Sequence, residues 1–341
     1  MGQASELKEA ALHLGFDAIG IAAAHVPPGA NHLKEWLSLS YQGEMSWMAR
    51  RPEIRSDPQQ YDSLAKTIIV AGVTSHQTSA PSRRGRIAAY AQGLDYHEIL
   101  REKLERLAQS TLLPWGGQFR VCVDSSPLME KPLAAMAGLG WQGKNTLLIH
   151  AQHGPWLMLG SLLTNLEISP DSPSHDHCGT CTRCLDACPT QAFPKPYVLD
   201  ARRCLAYLTI EHPGSIPEEF RPLIGDRLFG CDECLDVCPW NRHAQQSREL
   251  QLSPIPRADL PEMLAWDDTR FRKEFRNTPI FRLKRSRWLR NICIVLGNIG
   301  TELDLPSLEQ ASRDKDPLVR EHALWGIQQI RDRLKTERAK V

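Results

Sequence analysis

The chain has 341 residues, too many for a bare ferredoxin and enough for two or three domains. Its 42% hydrophobic content excludes a disordered chain, and 41 basic against 40 acidic residues leave the charge balanced overall, though unevenly spread. Ten cysteines behind a start with no basic–apolar leader exclude a short secreted disulfide scaffold and point to metal ligands.

Leu7, Ala11 and Leu14 fall on one face of an opening helix, and Ala18–Ala22 reads as a short strand. Thr67–Gly72 and Phe119–Asp124 are apolar runs rich in β-branched residues, expected as buried strands, with a charged helix over Leu94–Ser110 between them. Leu147–Ile149 and Trp156–Leu163 look like further strands. Residues 1–168 are therefore expected to form an N-terminal α/β domain within an α+β multidomain protein. No apolar run reaches the length of a membrane span. The expectation is a cytoplasmic, membrane-free protein, monomeric because no coiled-coil seam is visible.

Pro170–Pro173 reads as a linker into a cysteine-rich block, residues 169–245. Cys178-x-x-Cys181-x-x-Cys184-x-x-x-Cys188-Pro189 is the bacterial ferredoxin run, in which three thiolates hold one [4Fe–4S] cubane and the fourth crosses to another. The second half is Cys231-x-x-Cys234-x-x-x-Cys238-Pro239; its expected first cysteine is Leu228, and Cys204 is the nearby replacement. Cluster one is thus assigned to Cys178, Cys181, Cys184 and Cys238, and cluster two to Cys188, Cys204, Cys231 and Cys234. Zinc ribbons also use CxxC pairs, but not three cysteines at steps of three followed by Cys-Pro. Cys122 and Cys293 lie in apolar stretches and read as core. Two cubanes make an electron relay, fed by an external low-potential donor, whose acceptor is expected on the N-terminal domain.

Residues 246–341 read as helical, with Trp288–Ile299 and a helix opening at Asp316-Pro317 in the style of a HEAT repeat. Between Arg270 and Arg290, Glu274 is the only acid among nine basic residues. With Phe271, Phe275, Phe281 and Trp288 interleaved, that stretch is expected to contact phosphates, through Arg282, Lys284, Arg285, Arg287 and Arg290; Arg202 and Arg203 add to it.

Val123-Asp124-Ser125-Ser126-Pro127-Leu128-Met129-Glu130-Lys131, Gly138-Leu139-Gly140-Trp141-Gln142-Gly143-Lys144-Asn145-Thr146, Asp200-Ala201-Arg202-Arg203-Cys204 and Cys238-Pro239-Trp240-Asn241 together resemble the epoxyqueuosine reductase family over essentially the whole chain. The resemblance implies a cobalamin-dependent oxidoreductase that reduces epoxyqueuosine at the wobble position of a tRNA with a queuosine-type anticodon. It implies Asp124 as the acid that protonates the departing oxygen; otherwise Asp124 reads as a helix N-cap. A free aspartate titrates near 4, so the role asks burial or a nearby cobalt to keep the carboxyl protonated. The cobalamin contacts implied are Arg55, Tyr90, Asp95, His97, Asp124, Gly143, Lys144, Asn145 and Thr146, with no D-x-H-x-x-G motif to offer a lower histidine ligand. The competing readings are a cobalamin/iron–sulfur reductase of a small halogenated or epoxide substrate, and a non-enzymatic ferredoxin-type carrier.

Overall fold

The computed structural model describes residues 2–77, 85–250 and 258–339. The chain divides into two compact units that interleave in sequence. The first takes Met1–Thr78, Asp95–Asp200 and Glu233–Gln251; the second takes Ser79–Leu94, Ala201–Asp232 and Leu252–Val341. This differs from three consecutive domains, because the cysteine block is shared out between the two units.

The first unit is built on four strands: β1 (Ala18–Ala23), β2 (Thr67–Thr74), β3 (Phe119–Cys122) and β4 (Leu157–Thr164), in the order β1-β2-β4-β3. Every pairing is antiparallel, with Gly20 opposite Val70, Val70 opposite Ser161, and Cys122 opposite Ser161. The unit is therefore α+β, the class expected for the chain as a whole. β2 is buried at all eight positions, as its unbroken run of apolar and β-branched residues requires of a strand covered on both faces.

One face carries Ala18, Ala22, Ile68, Val70, Leu159 and Leu163, and buries Leu133 and Ala134 of the helix Glu130–Met136. Gly20 makes that docking possible: a Cβ there would stand 2.0 Å from the Ala137 carbonyl oxygen. The other face takes the helix Tyr96–Ser110, whose buried Leu100, Leu104 and Leu107 recur at helical spacing. A Cβ on Gly160 would stand 2.8 Å from Leu104. The supposed linker is docked rather than loose: the Asp171 amide donates to the Ile21 carbonyl, its carboxylate accepts the Ile21 amide, and it pairs with Lys8 at 2.5 Å.

The second unit is mainly helical. Lys284–Ile299 and Pro317–Arg338 are its long helices, and a two-stranded parallel pair joins Arg86–Ile87 to Arg227–Phe229. Asn291 donates to the Thr209 and Leu228 carbonyls at 2.8 and 3.0 Å, tying the insertion between Cys204 and Cys231 to the Lys284–Ile299 helix. Among the described residues no helix is long and apolar enough to cross a membrane.

Candidate active site

β3 ends at Cys122, Val123 is fully buried, and Asp124 then turns the chain with φ of +48°, a left-handed backbone unusual for a residue bearing a Cβ. The Asp124 Oδ2 lies 2.9 Å from His97 Nε2, and His97 Nδ1 lies 2.5 Å from Asp95 Oδ1. Asp95 also caps the helix Tyr96–Ser110 by accepting the His97 amide, which fixes both side chains on a rigid element. With an acceptor at each ring nitrogen, the imidazole donates at both. Burial alone would lower the His97 pKa, but the bonds to Asp124 and Asp95 and their charges outweigh it and raise it above the ordinary value.

Burial is one of the two conditions that the role of Asp124 asks, and it is not met here: its side chain is 52% exposed, whereas that of His97 is 6% exposed. Glu130, opening the next helix, accepts the Asp124 amide hydrogen at 3.0 Å. Burial pushes its carboxyl up to about 7. The half-buried Arg55 faces the charges of both Asp124 and Glu130. Arg55, Asp95, His97 and Asp124 are thus brought together, as the sequence led one to expect. Glu130 was not singled out, and its only sequence signal is an acid at the first position of a helix six residues past Asp124.

Gly143, Lys144, Asn145 and Thr146 are the residues expected to contact the corrin. They form the turn of a hairpin between Trp141–Gln142 and Leu148–Ile149, with Thr146 left-handed at φ of +65°. The Lys144 ammonium donates to the carbonyls of Gly179 and Cys181 at 2.6 and 2.9 Å, and the Asn145 amide donates to Cys234 at 3.1 Å. Both residues brace cysteine loops. Tyr90 lies in the second unit, 6.3 Å from the Phe229 ring.

Cys178, Cys181, Cys184 and Cys238 gather within the first unit. Burial pushes the Cys184 thiol up to about 11, and the other three sulfurs add to the shift. Burial likewise raises the Cys178 and Cys238 thiols, so these three resist ionisation until a cation binds them. The buried Trp141 indole has no nitrogen or oxygen acceptor; its N–H lies against the Cys178 sulfur, where a cluster thiolate would accept it. Cys188 Sγ already accepts the Ala192 amide at 3.2 Å. The four residues assigned to the first cubane thus lie close enough for their charges to interact. Lys144→Met should therefore lower the iron content of anaerobically purified protein toward half, while secondary structure by circular dichroism is kept; full iron content would show that the Lys144 brace is dispensable.

Two of the expected phosphate contacts are corrected by burial. Arg285 forks onto Asp314 at 3.2 and 2.5 Å and donates to the Trp266 carbonyl, both partners of the ion pair being about nine-tenths buried. Arg290 is fully buried and donates to the carbonyls of Leu208, His212 and Gly214. Neither is available to a ligand. Arg287 is half-buried and donates to the carbonyls of Leu283, Ile210, Glu211 and Arg282. Phe271, Phe275 and Trp288 are core as well, with Phe275 edge-on to Trp288 at 4.8 Å. Arg272, Lys273, Arg276, Arg282 and Lys284 are exposed, as are Phe281 and Arg202; Arg203 stacks over Phe220 at 5.6 Å.

Two family models match the chain. One, described as "4Fe-4S double cluster binding domain", covers residues 177–241. The other, described as "Epoxyqueuosine reductase QueG, DUF1730", covers residues 55–125. The epoxyqueuosine reductase of Xanthomonas campestris pv. campestris is 42% identical over 96% of this chain and 96% of its own length. That of Escherichia coli K12 is 38% identical over 96% of this chain and 89% of its own. A crystal structure of epoxyqueuosine reductase with a tRNA-Tyr epoxyqueuosine-modified stem loop is similar with a TM-score of 0.88 and 33% identity, over 96% of this chain and 89% of that one. A Bacillus subtilis epoxyqueuosine reductase, with its catalytic aspartate loop swung out of the active site, gives 0.87 and 32% over 96% and 90%.

Proposed function

The chain belongs to the epoxyqueuosine reductase family, and from that premise we propose how its own residues reduce epoxyqueuosine to queuosine in tRNA. The observation that carries the reading is the line Asp124–His97–Asp95 at the end of β3, with bonds of 2.9 and 2.5 Å.

In the reaction both C–O bonds of the epoxide are lost, an alkene forms, and the oxygen leaves as water, consuming two electrons and two protons. An alkoxide leaves poorly, so a proton must reach the oxygen as the bond breaks. Asp124 is half exposed at the tip of its turn and delivers it. His97 Nε2 refills the carboxylate, and Asp95 balances the imidazolium and fixes its ring. Because the helix Tyr96–Ser110 holds Asp95 and His97, the imidazole keeps its place for the Asp124 carboxylate to meet.

Cobalamin is the cofactor this site is built to take, and when bound in its reduced state it supplies the electron pair to carbon. Gln42 Oε1, Arg55 Nε and Ser56 Oγ are buried with no partner among the described residues. They give a donor, an acceptor and a hydroxyl, which the amide fringe of a corrin satisfies. Arg55, Asp95, His97 and Asp124 remain the residues proposed to face it. Lys144 and Asn145 also brace cysteine loops. The clusters receive electrons from an external low-potential donor; Cys188, Cys204, Cys231 and Cys234 are left for the second of them by the ferredoxin spacing. A cytoplasmic monomer acting on a tRNA with a queuosine-type anticodon suits this chemistry.

Exposed Arg202, Arg272, Lys273, Arg276, Arg282 and Lys284 are proposed to hold the tRNA backbone. Arg276→Glu with Arg282→Glu should raise the KM for tRNA about tenfold and flatten its salt dependence by about two phosphate contacts, leaving kcat near wild type. Arg285→Ala should instead cost about 3–5 kcal/mol of stability, since it strands Asp314. Binding isotherms over a salt series, with thermal melts alongside, separate the two. Unchanged tRNA affinity in the double variant would remove this surface from the interface. The reading as a whole is tested by incubating the reduced, cobalamin-loaded protein with epoxyqueuosine tRNA and analysing nucleosides; a protein that retains no corrin, or forms no queuosine, overturns it.

A further inference from the structure

We propose that Glu130 is a positioning residue for Asp124, clamping the backbone of the acid-bearing turn while His97 holds its carboxylate. Asp124 sits at φ of +48°. A residue with a Cβ keeps such a backbone only where its surroundings fix it from more than one side. Two anchors do so. The Asp124 amide donates to Glu130 Oε1 at 3.0 Å, and its Oδ2 meets His97 Nε2 at 2.9 Å. Inside the turn Leu128 N bonds Ser126 O at 2.8 Å and Ser125 Oγ bonds Val123 O at 3.4 Å, and Leu128 is buried in the core below.

The two anchors stand on different supports. His97 rides on the helix Tyr96–Ser110, on one face of the sheet. Glu130 opens the helix Glu130–Met136 on the other face, where buried Leu133 and Ala134 hold it and the Ala137 carbonyl closes on Gly20. Asp124 is suspended between them. Releasing both bonds loosens the exposed Asp124–Ser125 tip while buried Val123 and Leu128 keep the rest of the turn on the sheet, which suits an acid that must admit a bulky nucleotide.

The groups facing Glu130 are Asp124, Arg55, Lys131, His97 and the Cys122 thiol. Ionised, its carboxylate is the stronger acceptor for the Asp124 amide. Its carboxyl titrates near neutrality, at about 7, so the clamp is strong above that pH and weakens as pH falls through it. The proposal rests on Asp124 as the acid for its purpose, but the clamp is read without turnover.

Amide hydrogen exchange over residues 123–129 of the loaded enzyme tests it. Glu130→Ala should speed exchange there about tenfold or more and lower kcat by a similar factor, with iron, cobalamin and the KM for tRNA unchanged. Glu130→Gln keeps an acceptor oxygen and should restore most of both, while abolishing the loss of protection that the wild type shows below about pH 7. Wild-type exchange in Glu130→Ala overturns the proposal, as does lost activity with unchanged exchange, which would make Glu130 a proton donor instead. Should the Ala variant not fold, the pH series of wild type and Glu130→Gln decides alone: pH-independent protection in the wild type rules the clamp out.

Discussion

Asp124→Asn is expected to slow epoxide reduction by about 10²–10⁴-fold at neutral pH while both clusters and bound cobalamin stay in place. Asparagine tolerates the left-handed backbone found at this position, so the turn keeps its shape. Its amide still meets His97 and the Glu130 clamp is untouched. What is lost is the capacity to hand a proton to the departing oxygen. The effect should fall on kcat, with little change in the KM for tRNA, because the interaction exists only in the transition state. Anaerobic absorption spectra and iron analysis would show the cofactors retained. Turnover within about threefold of wild type would remove Asp124 as the acid.

His97→Gln should have the second largest effect, about 10- to 100-fold on kcat, with a characteristic pH signature. The glutamine amide can bond to Asp124 but cannot store a proton. In the wild type the His97 pKa lies above its ordinary value, because the bonds to Asp124 and Asp95 outweigh burial. The active, protonated imidazole is therefore fully present below that ordinary value of about 6.5 and is lost as pH rises through the raised one. Activity should show an alkaline fall in the wild type that is absent from the Gln variant. An alkaline limb that persists unchanged would assign it to another group. Asp95→Asn is the companion: the ring stays capped in place, but the counter-charge is gone, so the same limb should shift to lower pH.

The parts of the site that could be read from sequence are those whose chemistry dictates spacing. A cubane needs thiolates at fixed steps, so the ligands are visible as steps of three ending in Cys-Pro, and Cys178, Cys181, Cys184 and Cys238 do gather in one unit. β2 and β4 were legible because a strand covered on both faces must be apolar throughout. The charge run was misleading for a physical reason. Arginine carries five donors, and in the Lys284–Ile299 helix these satisfy carbonyls of other segments instead of meeting solvent. A sequence shows the charges but not the carbonyls waiting for them. Lys144 and Asn145 were hidden in the same way, their partners being backbone oxygens of cysteine loops some 35 to 89 residues on. The division into two interleaved units was not legible either, since nothing local marks Ser79–Leu94 as belonging with residues past 200. Glu130 escaped notice because its importance comes from one backbone bond across a six-residue turn.

The most direct measurement is nucleoside analysis of tRNA from a strain lacking this gene, complemented with the wild-type chain or with Asp124→Asn. The expected result is queuosine with the wild type and accumulated epoxyqueuosine with the variant, at equal protein levels. Queuosine at the wild-type level in cells carrying only Asp124→Asn, or no epoxyqueuosine in the uncomplemented strain, would contradict it.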